Sequence, residues 1–209
     1  MAALIIKVIL SYLLGSISGS LLIGKLKKID IRSQGSGNAG GTNAFRTQGL
    51  VFALAVVFID IGKGFMAAWL IPAIDIGGGA AVLNPILLVM ACGLAAVVGH
   101  CFPIWHGFRG GKGAATAVGA IIVIEPWLLL PLIITWLVTL IMTGYVGLST
   151  VLAGFSLVPA AWSMTDNTLM VFSAVLALFL LFTHRENMRR LLNGTEYRFE
   201  RIHIFSRKP

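Results

Sequence analysis

The sequence predicts an all-α integral membrane protein of seven transmembrane helices, and three observations lead there. Of the 209 residues, 57% are hydrophobic and only 11% charged, against about 25% charged in an ordinary soluble domain. Apolar runs recur near 1–24, 50–72, 82–99, 113–124, 127–143, 146–163 and 167–183. The 16 basic residues outnumber the 8 acidic ones, for a net charge of +8, and fourteen of them fall in alternate segments outside the runs, the C-terminal tail included. Such apolarity excludes a soluble nucleic-acid binder despite the charge. It also excludes disorder, which requires low hydrophobicity.

The first run, with Lys7 and small residues, has features of a signal peptide, but the many later runs make a retained span the better reading. Within it Ser11, Gly15 and Gly19 stand four apart, a spacing suited to close helix packing. The second run carries Asp60 and Lys63, which share a helix face and can pair. Charge inside a membrane is expensive and usually faces the bundle interior, so this is either a structural pair or support for a polar cavity. The fourth run is the short one. About 12 helical residues cover about 18 Å of a roughly 30 Å hydrocarbon core. Glu125-Pro126 then ends it, because proline removes a donor and disfavours helix in the residue before it. Residues 113–124 are therefore expected to form a short or tilted span. Cys92 and Cys101 lack zinc-ligand or disulfide-framework spacing and read as packing residues.

Charge sets the orientation. With the N-terminus outside, the cytoplasmic segments are 25–49, 100–112, 144–145 and 184–209, and these contain fourteen of the sixteen bases. The opposite links hold Asp75, Glu125 and Asp166 and no base. This is the positive-inside bias, and it puts the C-terminus in the cytoplasm. Trp69, Trp127 and Trp162 fall near the outer ends, as an aromatic belt would. Bases around 25–32 and 198–208 are expected mainly to set topology and meet anionic lipid. The chain reads as one membrane domain, 1–209, with cytoplasmic motif segments at 30–46, 99–116 and 184–196.

The first segment contains GSGNAGGTN (35–43) followed by Ala44-Phe45-Arg46. Its glycines, Gly35 and Gly37 among them, can turn backbone N–H groups inward as an anion nest. Ser36, Asn38, Thr42 and Asn43 add neutral donors, and Arg46 a fork suited to phosphate. Gly35, Gly37 and Gly40 match GxGxxG, but that fingerprint needs a preceding strand and a βαβ unit. The second segment runs from His100 through Phe108-Arg109-Gly110-Gly111-Lys112-Gly113 to Thr116. It departs from a Walker A loop at His106 and Gly113. Glycine amides leading into a helix N-terminus beside a lysine nevertheless form a phosphate site. His100 reads equally as a helix cap or a site residue, and His106 as surface. In the third segment His184, Asn187 and Leu191 share a helical face. His184 and Asn187 add nothing to lipid attraction, so they read as chemistry or hydrogen bonding.

Several chemistries lack their residues. There is no GxSxG elbow, no HxxxxD pattern, no tight histidine cluster for a metal, and no obvious catalytic pair among Asp30, Glu186, Glu196 and Glu200. No metal or cofactor is called for.

Together GSGNAGGTNAFR (35–46), GHCFPIWHGFRGGKGAAT (99–116) and HRENMRRLLNGTE (184–196) resemble the bacterial acyl-phosphate-dependent glycerol-3-phosphate acyltransferases. The resemblance extends over nearly the whole chain. One departure is Gly41, where the family usually has alanine. The resemblance implies transfer of a fatty acyl group from acyl phosphate to the 1-position of sn-glycerol 3-phosphate. The products are lysophosphatidate and inorganic phosphate, in the first step of phospholipid synthesis at the bacterial inner membrane. The donor is already activated, so direct attack needs no covalent acyl-enzyme. On this reading Lys112 with Gly110, Gly111, Gly113, Thr116 and His100 holds the acceptor phosphate. Arg46 and Ser36, with Gly35, Gly37, Asn38, Thr42 and Asn43, hold the acyl-phosphate head or the developing oxyanion. His184 and Asn187 orient the acceptor hydroxyl, and either His184 or a substrate phosphate takes its proton. Implied partners are the two substrates, the bilayer and the soluble enzyme that makes acyl phosphate; the chain is expected to act as a monomer. The competing readings are an acyl-CoA-dependent acyltransferase and a transporter of phosphate-bearing metabolites. Transporters, however, usually place such sites near the bilayer midplane between repeated halves.

Overall fold

In the computed structural model, residues 2–76 and 84–199 are described; Arg201, His203, Arg207 and Lys208 lie outside them. The described residues fold as ten α-helices with three short 3₁₀ turns and divide into two units at Glu125/Pro126, where the sequence places its helix break.

The first unit contains α1 (Ala2–Gly15), α2 (Gly19–Leu26), α3 (Gly41–Gln48), α4 (Leu50–Ala73), α5 (Pro85–Cys101) and α6 (Ala114–Ile124). The expected single first span is broken: α1 and α2 meet at a 45° bend across residues 16–18. Local sequence does not force this. The bend is held from α4, where Lys63 Nζ donates to the Ile17 carbonyl at 2.6 Å and Asp60 Oδ1 accepts the Gly19 amide at 3.2 Å. The small residues serve close packing on both sides of the break. A Cβ on Gly15 would collide with the Ala96 backbone of α5, and one on Gly19 with the Val56 carbonyl of α4. Lys7, buried in α1, donates to the Pro72 carbonyl at the end of α4 at 2.8 Å.

Helix α6 has 11 residues, about 17 Å at 1.5 Å each, so the fourth run is as short as its sequence suggests. It packs tightly on α4: side chains at Gly64 or Gly119 would strike the Thr116 or Ile61 carbonyl, respectively. Small residues let two backbones approach where lipid supplies no hydrophobic drive. Asn84 caps α5 through the Ile86 amide at 3.2 Å, with Pro85 at the first helical position.

The second unit contains α7 (Leu129–Thr143), α8 (Val146–Ser163), α9 (Asn167–Thr183) and α10 (Arg185–Leu192). Asp166 caps α9 by accepting the Thr168 and Leu169 amides at 2.8 and 3.0 Å. Trp136 Nε1 donates to Thr150 Oγ1, tying α7 to α8. Helix α7 exposes Leu130, Ile133, Ile134, Leu137 and Val138. In water that stripe would be a liability; in a bilayer it is lipid-facing surface. Trp69, Trp127 and Trp162 are also exposed. Among the described residues four helices are long and apolar enough to cross a membrane, or six if α1–α2 and α9–α10 each count as one bent span.

Arg198 corrects one expectation. Rather than only meeting lipid, its Nε donates to the Thr143 carbonyl at 3.0 Å and its guanidinium lies over the Tyr145 ring. It thereby closes the α7–α8 turn, to which the Phe199 amide also bonds through Gly144 O.

Candidate active site

The first two motif segments meet in the first unit, and Arg32 joins them. Asp30 Oδ1 accepts the Arg32 amide at 2.9 Å, starting a 3₁₀ turn at Ile31–Ser33. The Arg32 guanidinium grips the same carboxylate, Nε to Oδ1 at 3.0 Å and Nη2 to Oδ2 at 2.8 Å. Its Nη1 reaches across to the carbonyls of His106 at 3.0 Å and Arg109 at 3.3 Å. Hydrogen bonds from Arg32 hold the Asp30 carboxyl below its ordinary range, and Asp30 in turn raises Arg32. Arg32 is thus a clasp between loops, not only a topology charge. Its signal in the sequence was the Asp-x-Arg spacing of the turn.

Asn43 organises the glycine loop from inside. It is 1% exposed. Its Oδ1 accepts the Ser36 amide at 2.9 Å, and its Nδ2 donates to the Gln34 and Ile31 carbonyls at 3.0 and 3.2 Å. Gly35 takes φ +56° directly over that amide, where a Cβ would strike Asn43 Oδ1. The Gly37 amide donates to Gln34 O. The amides of Ser36 and Gly37 therefore close the turn internally, and the expected inward nest is not formed by these two. The C-terminal half of the segment is helix α3 rather than loop. It sets Thr42 and Arg46 four apart on one side, Arg46 half-buried, while Gly35, Ser36 and Gly37 are exposed and Asn38 is half-buried.

A second correction concerns the glycines of the other loop. Gly110 N donates to Cys101 O at 3.2 Å and Gly111 N to His100 O at 3.1 Å. These amides, expected to hold phosphate, instead seat the loop on the end of α5. Only glycine fits: a Cβ on Gly110 would meet the His100 carbonyl, and one on Gly111 the His100 ring. The Ala39 carbonyl stands 3.1 Å from that same Gly111 position, so the two glycine segments touch here. Half-buried Lys112 follows, then Gly113 at φ +87° caps α6. The first amides of α6 have no intrahelical acceptor, and that end of the helix favours an anion. Thr116, fully buried in that first turn, has an Oγ1 with no hydrogen-bond partner among the described residues.

Behind this loop, inside the helices, lies the Asp60–Lys63 pair. Its nitrogen–oxygen distance is 3.0 Å, and Asp60 and Lys63 are 1% and 5% exposed. His100, 3% exposed, joins them, with Nδ1 2.8 Å from Lys63 Nζ. The spacing of Asp60 and Lys63 foretold the pair; nothing in the sequence placed His100 beside it.

In the second unit the chain bends by 58° at His184, between α9 and α10. His184 and Asn187 are buried and Leu191 is half-buried, so the shared helical face points inward. His184 Nδ1 lies 2.8 Å from the Leu180 carbonyl. A carbonyl only accepts, so Nδ1 carries the proton and the neutral ring's lone pair is on Nε2. Asn187 Nδ2 donates to Glu196 Oε1 at 2.6 Å, while Glu196 Oε2 takes Arg190 Nε at 2.7 Å. Glu196, passed over in the search for catalytic carboxylates, is the clamp that orients Asn187. Among the described residues no group of three His, Cys, Asp or Glu could hold a metal ion.

The family model for glycerol-3-phosphate acyltransferase matches residues 5–194. The glycerol-3-phosphate acyltransferase of Chlorobium luteolum is 41% identical, covering 90% of this chain and 93% of that protein. Glycerol-3-phosphate acyltransferase 2 of Bacillus anthracis is 40% identical over 92% of this chain and 97% of its own. Among solved structures, PlsY (YgiH), an integral membrane glycerol 3-phosphate acyltransferase, matches in its glycerol 3-phosphate form. The TM-score is 0.83 at 35% identity, covering 95% of this chain and 96% of that one. Its lysophosphatidic acid form matches at TM-score 0.81 and 34% identity, with the same coverage.

Proposed function

The chain belongs to the glycerol-3-phosphate acyltransferase family, and from that premise we propose that its acyl donor is acyl phosphate. The 1-hydroxyl of sn-glycerol 3-phosphate attacks the acyl carbon. The new ester C–O bond forms as the acyl–phosphate C–O bond breaks, giving lysophosphatidate and inorganic phosphate. The hydroxyl proton passes to the departing phosphate or to His184 Nε2. No acyl-enzyme intervenes, because the mixed anhydride already carries a good leaving group. The observation that carries this reading is the Arg32 clasp. It gathers two glycine-rich segments, with Lys112 at the start of α6, beside helices whose outer faces suit a fatty chain.

Catalysis is then mostly orientation and charge stabilisation. Positioning two reactants contributes about 7–11 kcal/mol, and one oxyanion-type donor about 2.7–4 kcal/mol. Lys112 and the first turn of α6 bind the phosphate of the acceptor. Arg46 and Ser36 bind the donor's head or the oxyanion, and Asn187 with His184 orients the acceptor hydroxyl. The proposed topology counts the two bent pairs and short α6 as spans, seven in all, with the C-terminus and the motif segments on the cytoplasmic side of the bacterial inner membrane. A reporter fused after Pro209 and found outside would refute that orientation.

The test is purified protein in defined lipid with glycerol 3-phosphate and either acyl phosphate or acyl-CoA. Lysophosphatidate and phosphate should appear with acyl phosphate alone. Product only with acyl-CoA would reject the donor, and tracer uptake into vesicles without acylated product would favour transport.

A further inference from the structure

We propose that the buried Asp60–Lys63–His100 cluster is a positioning device for the phosphate loop. In it, Lys63 fixes the His100 ring and His100 fixes the seat of Lys112. The inference rests on the reading of Lys112 as a phosphate-binding residue.

An ammonium has three protons and no acceptor capacity. Lys63 Nζ has three acceptors at hand: Ile17 O at 2.6 Å, His100 Nδ1 at 2.8 Å and Asp60 Oδ1 at 3.0 Å. With Lys63 as donor, His100 Nδ1 accepts, and the ring proton belongs on Nε2. The 3.4 Å approach of Nδ1 to Asp60 Oδ1 is then proximity between two acceptors. Asp60 balances the lysine charge and takes the Gly19 amide. Lys63 is consumed inside the protein and is no ligand for substrate; it holds the Ile17 bend directly and reaches the phosphate loop through the histidine.

His100 touches the loop twice. Its carbonyl accepts the Gly111 amide at 3.1 Å, and its Nε2 edge lies so close to Gly111 that any side chain there would collide with it. Lys112 is the next residue. Rotation of the imidazole, or loss of its donor, therefore moves the turn from which Lys112 projects. A buried ion pair is not needed for stability, since well-packed apolar replacements of such pairs are often neutral or stabilising. Charge retained within a membrane usually marks function. Here the function is mechanical precision at a site where small displacements cost rate.

The experiment begins with Lys112→Ala, which identifies the phosphate substrate the loop holds by the KM it raises. Lys63→Met and His100→Ala are each expected to raise that same KM at least fivefold. The kcat should stay within about threefold, and the KM of the other substrate should be unchanged. Gly111→Ala should raise it likewise, and in a His100→Ala background it should add much less, because the ring it strikes is gone and only the 3.1 Å approach to the Ala39 carbonyl remains. Lys63→Met also strands the buried Asp60 carboxylate and lowers thermal stability on either account, so KM is the discriminating readout: a fold-level role alone would lower kcat without a substrate-selective KM change. If Lys112→Ala is impaired while Lys63→Met and Gly111→Ala keep wild-type KM values, the positioning role is overturned. If Lys112→Ala itself leaves both KM values unchanged, the phosphate-loop reading fails first and the inference falls with it.

Discussion

Replacing Arg32 by alanine removes two hydrogen bonds from a charged donor to the His106 and Arg109 carbonyls, at 3.0 and 3.3 Å. A hydrogen bond involving a charged group contributes about 1.5–3 kcal/mol. The longer contact is marginal by distance, and the Arg32 side chain is 24% exposed, so roughly 2 kcal/mol for the clasp as a whole is a fair figure. Asp30, with 48% of its side chain exposed, adds only about 0.2–1 kcal/mol, as surface pairs do. About 2 kcal/mol corresponds to roughly a 30-fold shift in the equilibrium between joined and separated loops. An apparent binding constant is divided by the fraction of competent protein. The KM for the phosphate substrate should therefore rise about 15-fold if the loops are joined half the time in the parent protein, and about 5-fold if they are joined roughly six-sevenths of the time. The assay is steady-state acyl transfer in proteoliposomes, with each substrate varied at saturating levels of the other. Arg32→Lys keeps the net charge but loses the planar fork, and it should recover less than half of the lost affinity. Wild-type KM values for Arg32→Ala together with wild-type hydrogen-exchange protection of the two loops would refute the clasp, and complete recovery by Arg32→Lys would show that charge alone matters.

The pH response of the same clasp follows from Asp30. Its pKa is lowered from 3.8 by Arg32, so the pair contributes fully above pH about 4 and is lost as pH falls through the depressed folded value. Asp30→Asn should flatten the acid limb of loop protection in hydrogen exchange below pH about 4 and leave it unchanged at pH 7 apart from a small constant loss. Glu196→Ala removes the acceptor that Asn187 and Arg190 share; with the Arg190 side chain 35% exposed, the loss is about 1–3 kcal/mol, so the thermal midpoint in detergent should fall by a few degrees, and less for Glu196→Gln. Gly64→Val forces a side chain against the Thr116 carbonyl and should destabilise by about 1–3 kcal/mol, read from the same melt. For His184→Ala, loss of the acidic limb of the kcat/KM profile marks the histidine as base, whereas an unchanged profile assigns the proton to substrate phosphate.

The sequence made some elements plain because their causes are local. Glu125-Pro126 ends α6 whatever surrounds it, and Asp60 and Lys63 must meet when three residues apart on a helix. The glycines of both loops announced tight turns but not what their amides bond to. At Gly110 and Gly111 the acceptors are carbonyls of α5, which no local pattern encodes. The break at residues 16–18 escaped notice for the same reason. Ser16-Ile17-Ser18 is compatible with helix, and the bend is imposed from α4 by Lys63 and Asp60. Helix α3 was concealed by its glycine-rich start, and Asn43 looked like a ligand donor when its bonds all go to the loop itself.

A single physical problem explains much of the basic excess. Helix ends leave carbonyls without amide partners, and near a hydrocarbon layer water cannot readily supply them. Lys7 donates to Pro72 O at the end of α4, and Lys63 to Ile17 O just past α1. Arg185 donates to Phe182 O at the end of α9, and Arg198 to Thr143 O, the last residue of α7. Lys7, Arg185 and Arg198 each place a cation at the negative end of a helix dipole, and Lys63 serves a carbonyl in the break between two helices. Arg32 does the same for the carbonyls of the 106–109 turn. Charge counting along the sequence assigned two of these, Arg32 and Arg198, to topology and lipid, because a loop base looks the same from outside whether or not its head group is engaged. The buried bases spent on backbone, Lys7 and Lys63, should respond little to added salt, since desolvated, directional hydrogen bonds are screened far less than exposed charges. A purely lipid-directed base should respond strongly. Membrane affinity of vesicle-bound fragments is a poor readout for this. The salt dependence of the thermal midpoint in neutral detergent, compared between Lys7→Ala, whose head group is buried on the Pro72 carbonyl, and Lys25→Ala, which is exposed, separates the two roles. The first should lower the midpoint at all salt concentrations, and the second at none.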